Sequence, residues 1–208
     1  MGIVLEEGAY APGFKKGDRV MINECRTYQD VCAAWGGGTL LVHKDSQNAG
    51  GAGDPLCKVP DNVTDEQAVL AYLACVPLKG IERVEQNVGF KPGETILVFG
   101  GGMVGVSALQ ILKIKAPNST IISVEPHPYR QEITKNYADY VITPDEAGIK
   151  KLLEITNGKK ADKIIECSGN PAVPGILYQF IKDGGWKDDD EPGYIHLNGD
   201  YPEKLLFD

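Results

Sequence analysis

The stretch ILVFGGGMVGVSALQILKI, residues 96 to 114, carries an apolar β-branched run straight into three glycines and then into an amphipathic helical pattern. Glycine is favoured where backbone must turn sharply or where another group must approach it closely, so this junction constrains the fold more than any other segment. Gly100, Gly102 and Gly105 stand in the spacing G-x-G-x-x-G. At a strand-to-helix turn the first glycine permits the bend, the second lets backbone approach a pyrophosphate, and the third allows the helix to pack closely on the strand. The amides at the start of the following helix, Met103 and Val104 among them, then face the phosphates together with the positive end of the helix dipole.

Tight turns that bind nothing share this pattern, so a second feature is needed. Glu125 ends the next apolar run, twenty residues after Gly105, where an acid accepts hydrogen bonds from adenosine ribose hydroxyls. A carboxylate there repels a 2′-phosphate and favours NAD over NADP, while Arg130 in HPYR could offset that repulsion. The same pattern admits another nucleotide-like ligand such as S-adenosylmethionine, or a purely structural turn.

From about residue 94 short β-branched runs alternate with helical stretches, the signature of βα units feeding a parallel sheet. Strands are expected at TILVF, TIISVE, YVIT, ADKIIECS and GYIHLNG, and helices at 103 to 115, 128 to 137, 145 to 156 and 171 to 182. The first of these helices is expected to bury Val104, Ala108, Ile111 and Leu112. The fold class is thus α/β: a Rossmann-type doubly wound parallel sheet of order 3-2-1-4-5. Ligands in such sheets gather beyond the carboxyl ends of strands. Cys167, Ser168 and Gly169 at one end, and Asn198 and Gly199 at another, are therefore expected along the nicotinamide half of the site.

Residues 1 to 65 read differently, with FKKGDRVMI as a turn and a strand and GGGTLLVH as a further strand, and are taken as a partial β-rich domain. Residues 66 to 93 supply linking helices and 94 to 208 the dinucleotide-binding domain. The chain has 208 residues, 42 % of them hydrophobic, enough for a sizeable core, and a net charge of −8. No Lys/Arg cluster is dense enough to track a phosphodiester backbone, which argues against nucleic acid. No signal-like or membrane-length apolar run is present, so the expected location is cytoplasmic, away from membranes. Five scattered cysteines, Cys25, Cys32, Cys57, Cys75 and Cys167, suit free thiols rather than a disulfide framework. His43 and His196 fall in apparent strands and read as structural, His127 could cover an adenosine, and the run KDDDE at 187 to 191 reads as a solvated face.

These residues resemble the medium-chain dehydrogenase/reductase family. The resemblance runs from GIVLEEGAYAPGFKKGDRV and KVPDNVTDEQAVL through KPGETILVFGGGMVG, IISVE and ADKIIECSGNP to GYIHLNG, nearly the whole chain. It implies a GroES-like character for residues 1 to 65 and hydride transfer between NAD(H) and an alcohol, a polyol or the corresponding carbonyl, often with zinc polarising the substrate oxygen. The resemblance also implies a member shortened at both ends, lacking the family's first two zinc ligands. Cys75 in LACVPL matches its third zinc position. One thiolate cannot hold a catalytic zinc, so a small buried cysteine on a helix is the expected reading there, and zinc is expected only where other ligands are supplied. A non-catalytic dinucleotide-binding module, working as a homo-oligomer or with a partner chain, and a zinc-independent reductase of the quinone type are the two rival readings.

Overall fold

The computed structural model describes residues 1 to 6, 13 to 22, 26 to 28, 31 to 33, 56 to 184, 191 to 199 and 201. Two compact units divide the chain, Met1–Tyr72 and Leu73–Asp208. The expected strand at 36 to 43, Cys25, His43 and most of the 187 to 191 run lie outside the described residues.

The first unit is β-rich. It contains β1 (Gly2–Ile3), β2 (Arg19–Ile22), β3 (Arg26–Tyr28), β4 (Val31–Ala33) and β5 (Leu56–Lys58). Strands β1, β2 and β5 form an antiparallel sheet in that order, and β3 pairs with β4. Helix α1 (Asp65–Tyr72) follows. Its start is fixed by a reciprocal cap: the Gln67 amide donates to Thr64 Oγ1 at 3.2 Å and the Thr64 amide to Gln67 Oε1 at 2.9 Å, satisfying two backbone donors at the helix start. Arg19 ties β2 to the approach of this helix, donating to the Pro60 and Val63 carbonyls at 2.9 and 2.5 Å and to Asp65 at 2.8 Å.

The second unit runs α2 (Cys75–Val88), β6 (Thr95–Phe99), α3 (Met103–Lys115), β7 (Thr120–Val124), α4 (Pro128–Thr134), β8 (Tyr140–Ile142), α5 (Glu146–Ile155), β9 (Lys163–Glu166) and β10 (Tyr194–Leu197). Its five strands are parallel and ordered β10-β9-β6-β7-β8. Counted from β6 as the first, this is the expected 3-2-1-4-5. Every residue of β6 is buried, as a central parallel strand requires. Alternation along it divides two cores. Ile96 and Val98 pack with Ile81, Val84, Ala108, Leu109 and Leu112 from α2 and α3. Leu97 and Phe99 pack on the other face with Leu152 of α5, Leu177 and Phe180. The Phe99 and Phe180 rings meet edge to face, 5.1 Å between centroids.

Two expectations are corrected. Helix α3 fully buries Gly105, Ala108, Leu109 and Leu112, while Val104 and Ile111 are half-buried. The helix is rolled because its Gly105 edge presses on the preceding turn. The segment at 171 to 182 forms a short 3₁₀ helix, Pro174–Gln179, in place of an α-helix. Pro171 and Pro174 remove amide donors, and the buried residues Pro174, Leu177 and Phe180 recur every third position, the period of a 3₁₀ turn.

Acids anchor the amino-terminal edge of the sheet. Asp162 accepts from the Thr95 amide at 2.8 Å and Asp139 from the Ile121 amide at 2.8 Å. Beside them Lys163 and Glu94 form a buried ion pair, with the Lys163 ammonium 5.9 Å from the Phe90 ring centre. Among the described residues no helix is long and apolar enough to cross a membrane.

Among the described residues one buried hydroxyl, Ser123 Oγ in β7, has no hydrogen-bond partner. An unmet buried polar group costs about 1 to 3 kcal/mol. Ser123→Ala is therefore expected to leave the fold intact and to raise unfolding free energy by about 1 kcal/mol. Urea unfolding followed by circular dichroism checks this, and a lower midpoint would count against it.

Candidate functional site

At the carboxyl edge of the sheet the three glycines differ in what they do. Gly100 has φ +94°, a backbone region side chains disfavour, and a Cβ there would lie 2.8 Å from Ser168 Cα. A Cβ on Gly105 would lie 1.8 Å from the Gly100 carbonyl oxygen. These two are required by the fold itself. Gly102 is not: a Cβ built there meets nothing within 4 Å, and its backbone is extended. The space in front of Gly102 is open, and the fold places no atom there that excludes a side chain.

Gly102 is also the N-cap of α3, and no side chain caps that helix. The first amides of an α-helix have no partner within it, so the amides of Met103, Val104 and Gly105 are available at this opening. Met103 is 45 % exposed at its rim. A phosphate-sized anion fits this donor set and the dipole behind it.

Glu125 stands beside the loop but is only 2 % exposed. Its Oε2 accepts from the Gly101 amide at 2.5 Å and its Oε1 from the His127 amide at 2.8 Å, while Gln131 Nε2 donates to its carbonyl at 2.7 Å. The acid thus braces the glycine loop and the start of α4. Gly101 makes this possible, because a Cβ there would sit 2.9 Å from Glu125 Oε2 and 3.0 Å from Thr134 Cγ2. Arg130 and His127 are exposed at the start of α4.

The ends of β9 and β10 meet the same loop. The Cys167 amide donates to the Phe99 carbonyl at 2.9 Å, and the Asn198 amide to the Glu166 carbonyl at 2.8 Å. A Cβ on Gly199 would lie 2.9 Å from the Gly169 nitrogen. Gly100, Cys167, Ser168, Gly169, Asn198 and Gly199 therefore share one edge of the sheet. The Cys167 thiol is pushed up to about 12, chiefly by burial, with the nearby Glu166 carboxylate adding to the rise against a weak bond from Asn198 at 3.9 Å. Burial thus disfavours the thiolate, and the geometry suits a packing role. His196 lies half-buried against α2, where Gly80 makes room: a Cβ there would come within 2.8 Å of His196 Nε2 and 2.7 Å of Asn198 Oδ1.

Cys75 corrects an expectation. It is exposed, not buried, because the apolar stripe of α2 runs through Pro77, Gly80, Ile81 and Val84 and leaves the first residue of the helix off that face. Among the described residues no group of three or more His, Cys, Asp or Glu side chains could hold a metal ion. A single thiolate does not fit a catalytic zinc.

Glu166 and Gly101 were not singled out by sequence reasoning. The signal for Glu166 was present: an acid follows two isoleucines at the end of the strand KIIE, directly before CSG.

No protein-family profile matches the chain. Among curated proteins, L-threonine 3-dehydrogenase of Pyrococcus horikoshii is 31 % identical over 118 residues, covering 56 % of this chain and 31 % of the relative. The L-threonine 3-dehydrogenase of Pyrococcus furiosus is 25 % identical across 100 % of this chain and 59 % of its own length. Sorbitol dehydrogenase of Halalkalibacterium halodurans is 27 % identical over 83 % of this chain and 53 % of its own. The chain thus spans less than two thirds of the length of these relatives. Among solved structures, zinc dependent alcohol dehydrogenase 2 from Streptococcus pneumonia superposes with TM-score 0.73 at 24 % identity, covering all of this chain and 60 % of that one.

Exposure separates the thiols. Cys57 and Cys75 are expected to be alkylated by iodoacetamide near neutral pH at least about tenfold faster than Cys167. Peptide mass spectrometry over a time course reads this directly, and equal rates would contradict the packing of Cys167.

Proposed function

We propose that the chain, similar to threonine, sorbitol and alcohol dehydrogenases and resembling the medium-chain dehydrogenase/reductase family, carries the cofactor-binding part of an NAD(H)-dependent oxidoreductase acting on an alcohol or polyol, or on the corresponding carbonyl. The carrying observation is Gly102, a residue whose missing side chain the fold does not require and which faces open space at an uncapped helix start. In this reading the cofactor's pyrophosphate lies against Gly102 and takes hydrogen bonds from the amides of Met103, Val104 and Gly105. Gly100 and Gly105 set the turn that presents them. When bound, the nicotinamide ring supplies or accepts the hydride.

Glu125 has two roles in this reading. Its bonds to the Gly101 and His127 amides fix the loop before ligand arrives, which lowers the ordering cost of binding. Each carboxylate oxygen keeps a second lone pair, and the adenosine ribose hydroxyls donate to these. An added 2′-phosphate is repelled by the same charge, so NAD is the favoured form, with exposed Arg130 as the only neighbouring cation of α4. Cys167, Ser168, Gly169, Asn198 and Gly199 form the wall along the nicotinamide half.

The wider activity follows the relatives: a small alcohol substrate, by analogy with threonine, sorbitol and alcohol dehydrogenases. Among the described residues Cys75 has no companion ligands, and one thiolate by itself does not hold a catalytic zinc. Titration with NADH, followed by turnover with NAD and a panel of polyols and amino alcohols, separates a dehydrogenase from a module that binds without turnover.

Two substitutions test the placement. Gly102→Val is expected to keep the melting temperature within a few degrees and to weaken NADH binding by about tenfold or more, measured by calorimetry; unaltered affinity would remove the pyrophosphate from this position. Glu125→Ser is expected to raise the NADPH to NADH affinity ratio by about tenfold. An unchanged ratio would mean that the acid serves only as a brace.

A further inference from the structure

Glu166 is the last residue of β9 and is fully buried, 0 % exposed. Burying a carboxylate is costly unless donors surround it, and here they do. Oε1 accepts from the Ser168 amide at 2.7 Å and from Ser168 Oγ, and Oε2 accepts from the Tyr201 hydroxyl. Its own carbonyl accepts from the Asn198 amide at 2.8 Å. One residue therefore gathers donors from the turn after β9 and from the chain after β10.

The packing around it is equally specific. A Cβ on Gly199 would lie 2.6 Å from Glu166 Oε2 and 3.0 Å from Gly169 Cα, and a Cβ on Gly100 would meet the Ser168 backbone. Three turns, each with a glycine at the meeting point, close around this carboxylate. Burial first, and then the bond to Glu166, make the Tyr201 phenol harder to ionise, so it stays a donor. Nothing in the proposed chemistry requires an acid here, since the pyrophosphate and ribose are served by the glycine loop and Glu125.

We propose that Glu166 is a positioning residue for the nicotinamide half of the cofactor site, holding the Ser168–Gly169 and Asn198–Gly199 turns in the arrangement that receives the ring, with Tyr201 as its second clasp. This rests on the dinucleotide reading above. A glutamine at this position removes the charge and one acceptor oxygen, so the bonds that gather Ser168 and Tyr201 fall from charge-assisted to neutral strength. The turns are then held less tightly, while the glycine loop keeps its own brace at Glu125.

The test compares two ligands that differ in the nicotinamide ring. NADH and ADP-ribose are titrated into the wild-type chain, Glu166→Gln and Tyr201→Phe, with melting temperature as the check on folding. Expected for Glu166→Gln is a loss of NADH affinity of about tenfold with ADP-ribose affinity kept within about twofold, and faster amide exchange at Ser168 and Gly169 without ligand. Tyr201→Phe removes one bond only, so it shifts NADH in the same direction by less and serves if Glu166→Gln does not fold. Equal losses for both ligands would make Glu166 a general scaffold residue and overturn the proposal, as would no loss for either. A wild-type chain that binds neither ligand overturns the dinucleotide reading itself, and this proposal with it.

Discussion

The approach of the α3 backbone to the Gly100 carbonyl is the contact on which the carboxyl edge of the parallel sheet depends. With a Cβ position at Gly105 only 1.8 Å from that oxygen, any side chain there would push the helix off the strand. Because no atom intervenes, α3 starts immediately after the turn, lies flat on the sheet and buries Ala108, Leu109 and Leu112. Its amino terminus is thereby fixed next to the ends of β6 and β9. A helix displaced by even one turn would aim its dipole 5.4 Å away, and the opening at Gly102 would no longer be lined by amide donors.

Much of this was legible in the sequence. Alternation of β-branched runs with helical stretches located the five parallel strands and their order, and the bounds of α3 coincide with the expected 103 to 115. The glycine spacing located the loop. What escaped was detail set by tertiary contact. Periodicity alone placed Val104 and Ile111 on the buried face, but the Gly105 contact rolls the helix toward Leu109. The segment after Asn170 has apolar content enough for an α-helix, yet two prolines and a three-residue repeat of buried groups wind it into 3₁₀ form.

The site was less legible than the fold, and for a physical reason. Glycine motifs report on backbone, which is local, whereas the partners of an acid are set by which strand ends lie side by side. Glu125 was found because its distance from Gly105 is a known spacing. Glu166 was passed over because its donors come from Ser168 and Tyr201, thirty-odd residues apart in the chain. The placement of Cys75 was misjudged likewise: a small thiol in an apolar run reads as buried, but it begins α2 and the stripe of that helix passes it by.

The buried Lys163–Glu94 pair at the opposite edge of the sheet has a thermal consequence. Dehydrating ions grows less costly as water warms, so the net contribution of this lower clasp improves as the molecule is heated, while the apolar contacts of the two cores level off.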